Sequence, residues 1–237
     1  MITLEHLSKD FPVADQTVHA VRDVSLGIPA SQVTAIVGPS GGGKSTLLSL
    51  IGQLARPSSG TVTVDGVEVT HASARQAARY RNETFGYLVQ DFALIEPDTV
   101  LDNVRIPLVY SRRHTRGQRA LVADALDRFG VAELIDHPVK ILSGGQRQRV
   151  ALARAIVNGP RIILADEPTG ALDQANSARV FDHLRELATA GHTVVMVTHD
   201  LDLAARCDTV HELRDGTLTT THDRQARAAG APRREKA

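Results

Sequence analysis

The spacing of apolar and polar positions divides the 237-residue chain into three stretches. In the first, apolar-rich runs at 2–7 and 18–28 predict strands. The run 62–69 alternates around Asp65-Gly66, a pair that favours a hairpin turn. Between them, a continuous apolar run at 33–37 ends at Gly38, and a helix-forming run begins near Lys44. The second stretch, about 91–158, has helical patterns at 100–109, 117–129 and 146–157. In the last of these Arg147, Arg149 and Arg154 interleave with Val150, Leu152, Ala153 and Ile156. The third returns to alternation: buried-type strands at 161–165 and 193–197 enclose a helix at 177–190, and 210–213 and 217–220 flank the turn pair Asp215-Gly216. Strands that alternate with helices predict an α/β fold with a mostly parallel sheet, to which the first stretch adds antiparallel strands and the second a helical insert.

Composition narrows the function classes. Hydrophobic residues make up 42%, enough for a sizeable core. Lys plus Arg and Asp plus Glu both total 27, which argues against bulk nucleic-acid binding, although a local basic patch is compatible with neutrality. Cys207 is the single cysteine, so neither an intrachain disulfide nor a cysteine metal cluster can form, in keeping with a reducing cytosol. The N-terminal residues carry no signal-peptide core and no window approaches 18 apolar residues. A membrane role therefore has to come through a partner. The residues from about 223 are Arg/Ala-rich with Gly230 and Pro232, and read as a solvated tail. The other reading is that their arginines touch lipid or a partner.

Two motifs carry chemistry. Gly38-Pro39-Ser40-Gly41-Gly42-Gly43-Lys44-Ser45-Thr46 satisfies the phosphate-binding pattern G-x-x-x-x-G-K-[ST] between a predicted strand and a predicted helix. Glycines let backbone N–H groups approach phosphate oxygens, and the helix N-terminus adds positive potential. Lys44 supplies a point charge for the β- and γ-phosphates, and Ser45 an oxygen for Mg²⁺. Downstream, the apolar run 162–165 ends in Asp166-Glu167. A buried strand presenting two acids at its C-terminal end places them where ligands sit in open α/β sheets. Asp166 suits Mg²⁺, largely through water. Glu167 suits the general base that directs water at the γ-phosphate. A solvated strand-end acid pair is the plainer reading of these two residues taken alone.

A P-loop with strand-end acids does not separate kinases, GTPases and helicases. Leu142-Ser143-Gly144-Gly145-Gln146 does, and with it the chain resembles the ABC ATPase family over nearly its whole length. Ser143 can cap the following helix, and Gly144 and Gly145 leave N–H groups open at a second anion site. The resemblance implies that this signature closes on ATP held by another subunit, giving a head-to-tail dimer around two nucleotides. It also implies further roles. Phe11 stands where the family has an aromatic stacking on adenine, commonly a tyrosine; a core phenylalanine is the alternative. Gln90 matches the glutamine that senses Mg²⁺ and the attacking water. Asp173, in 171–173, matches a loop crossing the dimer interface. His199 matches the histidine that contacts the γ-phosphate. The stretch 168–173 (PTGALD) looks like the macrolide-export, lipoprotein-release and cell-division branch, and 86–104 like bacteriocin-export ATPases.

The resemblance thus implies an ABC ATPase domain over 1–222 with a helical signature subdomain at about 91–158, followed by the tail 223–237. The cofactors are ATP and Mg²⁺. Catalysis falls to Glu167, His199 and Gln90, the metal to Ser45, Gln90 and Asp166, and the nucleotide to Phe11, residues 38–46, residues 143–146 and Asp173. The implied partners are a transmembrane permease and a second copy or paralogue, with no nucleic acid and a location at the cytoplasmic face of the membrane. A soluble ABC ATPase acting on DNA or ribosomes is the alternative. It is disfavoured by the absence of heptads, cysteine pairs or a second cassette in this sequence. A small-molecule kinase or GTPase would leave 142–146 unexplained, and the guanine-recognition string N-K-x-D is absent.

Overall fold

A computed structural model describes residues 1–14, 16–111, 116–170 and 174–223. Two sheets organise it. The smaller is antiparallel, with order β2-β1-β4-β5, from β1 (Ile2–Val13), β2 (Gln16–Ile28), β4 (Ser59–Val64) and β5 (Val67–Glu68). The larger has order β10-β9-β3-β8-β7-β6, from β3 (Val33–Val37), β6 (Phe85–Leu88), β7 (Ile162–Asp166), β8 (Thr193–Thr198), β9 (Thr209–Arg214) and β10 (Thr217–Asp223). In it β9, β3, β8, β7 and β6 run parallel and only β10 pairs antiparallel. The helices are α1 (Lys44–Ile51), α2 (Ala74–Thr84), α3 (Val100–Val109), α4 (Gln118–Asp127), α5 (Gly144–Ile156), α6 (Gln174–Thr189) and α7 (Leu201–Ala204).

The central strands read as unbroken apolar runs because both of their faces are buried. Along β3 the side chains of Val33, Ala35 and Val37 feed one core, and Ile36 feeds the other. Strands β7 and β8 do the same: Ile163, Ala165, Val194 and Met196 pack with the helices α3 to α6, whereas Ile162, Leu164, Val195 and Val197 pack with α1 and the antiparallel sheet. Period-two alternation thus divides each strand between two hydrophobic cores on opposite faces of one sheet.

The sequence pattern anticipates most of these elements and misses some. The strand expected at 2–7 continues to Val13. Its outer half is part-buried to exposed and bears no core-facing alternation. Helix α2 was not anticipated: only Ala77 of its residues is buried, so an apolar stripe is lacking. Its one local signal is Ser73 with Gln76, which close a capping box, the Ser73 side chain accepting from Gln76 N and Gln76 Oε1 accepting from Ser73 N. Strand β6 and the short α7 were also missed.

The segment between β6 and α3 has little regular structure and is held by side chains instead. Asn103, fully buried in α3, accepts from Ile95 N at 2.7 Å and donates to the carbonyls of Ile95 and Thr99, each at 3.0 Å. Replacing this amide leaves the part-buried backbone groups of Ile95 and Thr99 without this partner. Asn103→Leu is expected to lower the unfolding free energy by about 2–4 kcal/mol. In urea the midpoint should fall with the slope unchanged. A loss under about 0.5 kcal/mol would contradict that account.

Candidate functional site

Four neighbouring parallel strands, in the order β3-β8-β7-β6, deliver the P-loop and the predicted catalytic and metal residues to one edge of the sheet. The P-loop follows β3, His199 follows β8, Asp166 ends β7 with Glu167 next to it, and Gln90 lies two residues beyond β6. The C-terminal edge of a parallel sheet is where loops gather in α/β folds, so residues far apart in sequence meet there.

The P-loop is pressed against its surroundings. Gly43, at φ 95°, is the N-cap of α1, and a Cβ there would lie 2.0 Å from the Ala20 carbonyl oxygen. A Cβ on Gly38 would lie 2.0 Å from the Leu213 carbonyl oxygen. Only glycine fits at these two positions. Gly216 N donates to Gly42 O at 3.2 Å, so the Asp215-Gly216 turn braces the loop from outside. The sequence marks this pair as a hairpin turn but gives no sign that the hairpin forms a wall of the phosphate cradle. Thr17, His19, Arg22, Lys44, Ser45 and Asp215 are among the residues around a cavity of about 360 Å³ at this point. Lys44 is buried, its ammonium donating to the carbonyls of Gly38 and Pro39 at 2.9 Å each. Pro39, Ser40 and Gly41 are exposed, and Thr46 lines the cavity.

Phe11 is 40% exposed on β1, opposite Val18, which lines the same cavity. It is therefore not a core residue, and the Lys9 ammonium lies 4.9 Å from its ring centroid. An exposed aromatic face beside the cavity is what stacking on a planar base needs.

The acids sit beside the loop. Ser45 Oγ donates to Asp166 Oδ1 at 2.9 Å. Burial raises the Asp166 pKa, the Ser45 hydrogen bond opposes that, and the Glu167 charge adds to it. A half-buried carboxylate with its charge poorly compensated, next to a hydroxyl oxygen, is a hard-oxygen pair that fits Mg²⁺ together with water and phosphate oxygens. Among the described residues no group of three His, Cys, Asp or Glu could form a metal cage, so nucleotide and water would complete the sphere. Glu167 is largely buried and takes φ 46°, a left-handed conformation rare for a side chain of its kind. Such strain persists where surrounding bonds enforce it, and commonly at functional sites. Here Glu167 N donates to Val197 O and Gly170 N to Glu167 O. His199 Nδ1 lies 2.9 Å from Glu167 Oε2, close but not aligned as a hydrogen bond. Gln90 Nε2 is 3.9 Å from where a Gly170 Cβ would stand, so it faces the same turn. Sequence reasoning missed Gln148, buried in α5, whose amide donates to Pro168 O at 3.0 Å and ties that turn to the signature helix.

The signature lies elsewhere. Ser143 caps α5, accepting from Gln146 N at 3.3 Å, and Gln146 Oε1 accepts from Ser143 N at 2.9 Å. The Gln146 side chain therefore closes a capping box, worth about 1 kcal/mol to the helix, and its amide oxygen is engaged there. Residues 143–146 border a separate cavity of about 470 Å³ with Asn176, Arg179 and His183, and the two cavities share no lining residue among those described. Asp173 falls outside the described residues, as do 171, 172 and the tail beyond 223.

No helix among the described residues is long and apolar enough to cross a membrane. Comparison with known proteins gives the family. A family model described as ABC transporter matches residues 21–170. YvrO of Bacillus subtilis, an uncharacterized ABC transporter ATP-binding protein, is 41% identical over 92% of this chain and 95% of its own length. The macrolide export ATP-binding/permease protein MacB of Rhodopseudomonas palustris is 42% identical over 99% of this chain, which spans only 36% of that longer protein. The ABC transporter cassette MJ0796, solved as a dimer, superposes with a TM-score of 0.87 at 36% identity, covering 94% of this chain and 98% of that one. A second dimeric structure of MJ0796, in a post-hydrolysis state bound to ADP and Pi, also gives a TM-score of 0.87, at 35% identity. The chain belongs to the ABC transporter family, as its ATP-binding and ATP-hydrolysing cassette.

Proposed function

We propose that this chain is the motor of a transporter whose membrane-spanning part is a separate permease. The observation that carries the reading is that its two anion sites border separate cavities. The P-loop and acids share one sheet edge while the signature borders another cavity, so one chain cannot close both on a single nucleotide. Two copies arranged head to tail can, each signature capping the ATP on its partner's P-loop. The dimeric MJ0796 cassettes support that arrangement.

In this reading Ser45, Asp166 and Gln90 would hold Mg²⁺, which would supply charge neutralisation at the phosphates. Glu167 accepts a proton from the attacking water. His199, in contact with Glu167 and 67% exposed toward solvent, is free to turn to the γ-phosphate and stabilise its charge. Phe11 stacks on the base, and Asp173 acts across the subunit interface. Residues 91–158 move as a unit relative to the sheet, while the rest of the chain holds the P-loop still.

The permease docks in a groove of about 830 Å³ between α2 and α3, lined by Leu54, Arg79, Val89, Ile106, Tyr110 and Arg154. It adjoins the segment carrying Gln90, and Tyr110 and Leu54 of its lining are exposed. The MacB relative, an exporter joined to its own permease, supports export or mechanical work on a membrane partner, with the cassette held at the cytoplasmic face.

Glu167→Gln should bind Mg-ATP normally, accumulate as a dimer and lose at least about 100-fold in turnover. Near-normal hydrolysis would remove Glu167 from the role of base. With that variant tagged and loaded with ATP, gently solubilised host membranes should yield a multi-span permease in near-stoichiometric amount by mass spectrometry. Recovery of ribosomal or DNA-bound proteins without any membrane protein would overturn the transporter reading.

A further inference from the structure

The segment after Gln90 and the segment before the signature run side by side. Lys140 N donates to Glu96 O at 3.2 Å, Val139 N to Asp98 O at 3.0 Å, Val100 N to His137 O at 2.9 Å and Leu101 N to Ile135 O at 2.8 Å. On the signature side, one side chain gathers the end of this ladder. Arg147, in the first turn of α5, donates through Nε to Leu142 O and through Nη2 to Lys140 O, each at 3.2 Å, and through Nη1 to Glu96 Oε1 at 2.7 Å.

The position of Arg147 makes Glu96 necessary to it. A cation in the first turn of a helix meets the positive end of the helix dipole and is disfavoured there. The charge is tolerated if a carboxylate neutralises it and if the guanidinium is turned back toward the preceding carbonyls, which is the geometry observed. Without Glu96 the guanidinium has less reason to stay on Leu142 and Lys140. Ser143, Gly144 and Gly145 follow those residues directly, and a Cβ on Gly144 would meet nothing within 4 Å among the described residues. Gly144 thus has little packing of its own to fix it, and a Cβ on Gly145 would meet only Asn176 Oδ1, at 3.6 Å.

We propose that Glu96 is a positioning residue for the signature: through Arg147 it holds residues 142–145 in the conformation that receives the partner copy's nucleotide. The inference rests on the head-to-tail dimer reading and deepens it. It also makes signature geometry depend on the segment that borders the docking groove. No resemblance assigned Glu96 a role, and its sequence neighbourhood gives no sign of one.

The test uses the full chain in the Glu167→Gln background, with dimer followed by light scattering during a Mg-ATP titration and binding to the monomer followed with a fluorescent ATP analogue. The ion pair is partly exposed, 28% for Arg147 and 59% for Glu96, so each copy contributes modestly, but a symmetric dimer contains it twice. Glu96→Gln should raise the ATP concentration for half-maximal dimer by about three- to tenfold. Analogue affinity should stay within about twofold, since Glu96 touches no part of the P-loop cavity. Arg147→Ala should weaken dimerisation at least as much, and adding Glu96→Gln to it should do nothing further. If Arg147→Ala does not fold, Arg147→Lys takes its place and should shrink the Glu96→Gln effect. Unchanged dimerisation in Glu96→Gln, or full additivity with the Arg147 variant, would overturn the proposal. A Glu167→Gln chain that stays monomeric in saturating Mg-ATP would overturn the dimer reading itself, and this inference with it.

Discussion

Strands β3, β8 and β7 are buried on both faces, so their backbone groups cannot turn to water and must pair with one another. Their parallel registers, Val33 with Val194 and Ile162 with Thr193, set the strand ends level to within a residue or two. The P-loop, His199 and the acid pair emerge from those ends. Their relative positions are inherited from backbone hydrogen bonds and two packed cores rather than from contacts among themselves. A site built this way can contain like charges side by side, as Asp166 and Glu167 do, because the scaffold and not their mutual attraction keeps them together.

That rigidity has a local cost at the edge. Gly38 and Gly43 take conformations and approaches that a Cβ would forbid, and Glu167 takes a left-handed backbone without being glycine. In the first case the sequence yields to the geometry. In the second it does not, and the bonds from Glu167 N to Val197 O and from Gly170 N to Glu167 O hold the turn. A carboxylate retained at such a strained position accords with the role of base proposed for Glu167.

Most of this was legible in the sequence where a local pattern coincided with a buried element. The run 33–37, the glycines after it and the acids after 162–165 announce strand, loop and strand end in order. Helix α2 was not legible because its burial is slight, and β6 because four residues give periodicity too little to work on. Motif position singles out Gln90 and His199 as candidates, whereas Gln148 and Gly216 make a backbone contact to a distant segment, which no local signal encodes. Gln146 falls between: its place in the signature was evident, but its side chain completes the cap of its own helix.

The long-range ties converge on α5. This helix has 13 residues and so is about 20 Å long. Its N-terminus carries the signature, and Gln148, one turn on, bonds to Pro168 O beside the acids. Near its end, Arg154 donates to the carbonyls of Phe92 and Ala93, two left-handed residues just beyond Gln90. Three segments are therefore fastened to one helix, while the pairing of 96–101 with 135–140 fastens two of them again. In the head-to-tail dimer proposed above, a displacement of the segment beside the groove is expected to reach the signature, and closure of the signature on a phosphate to reach the groove, the reciprocity that coupling between two sites requires.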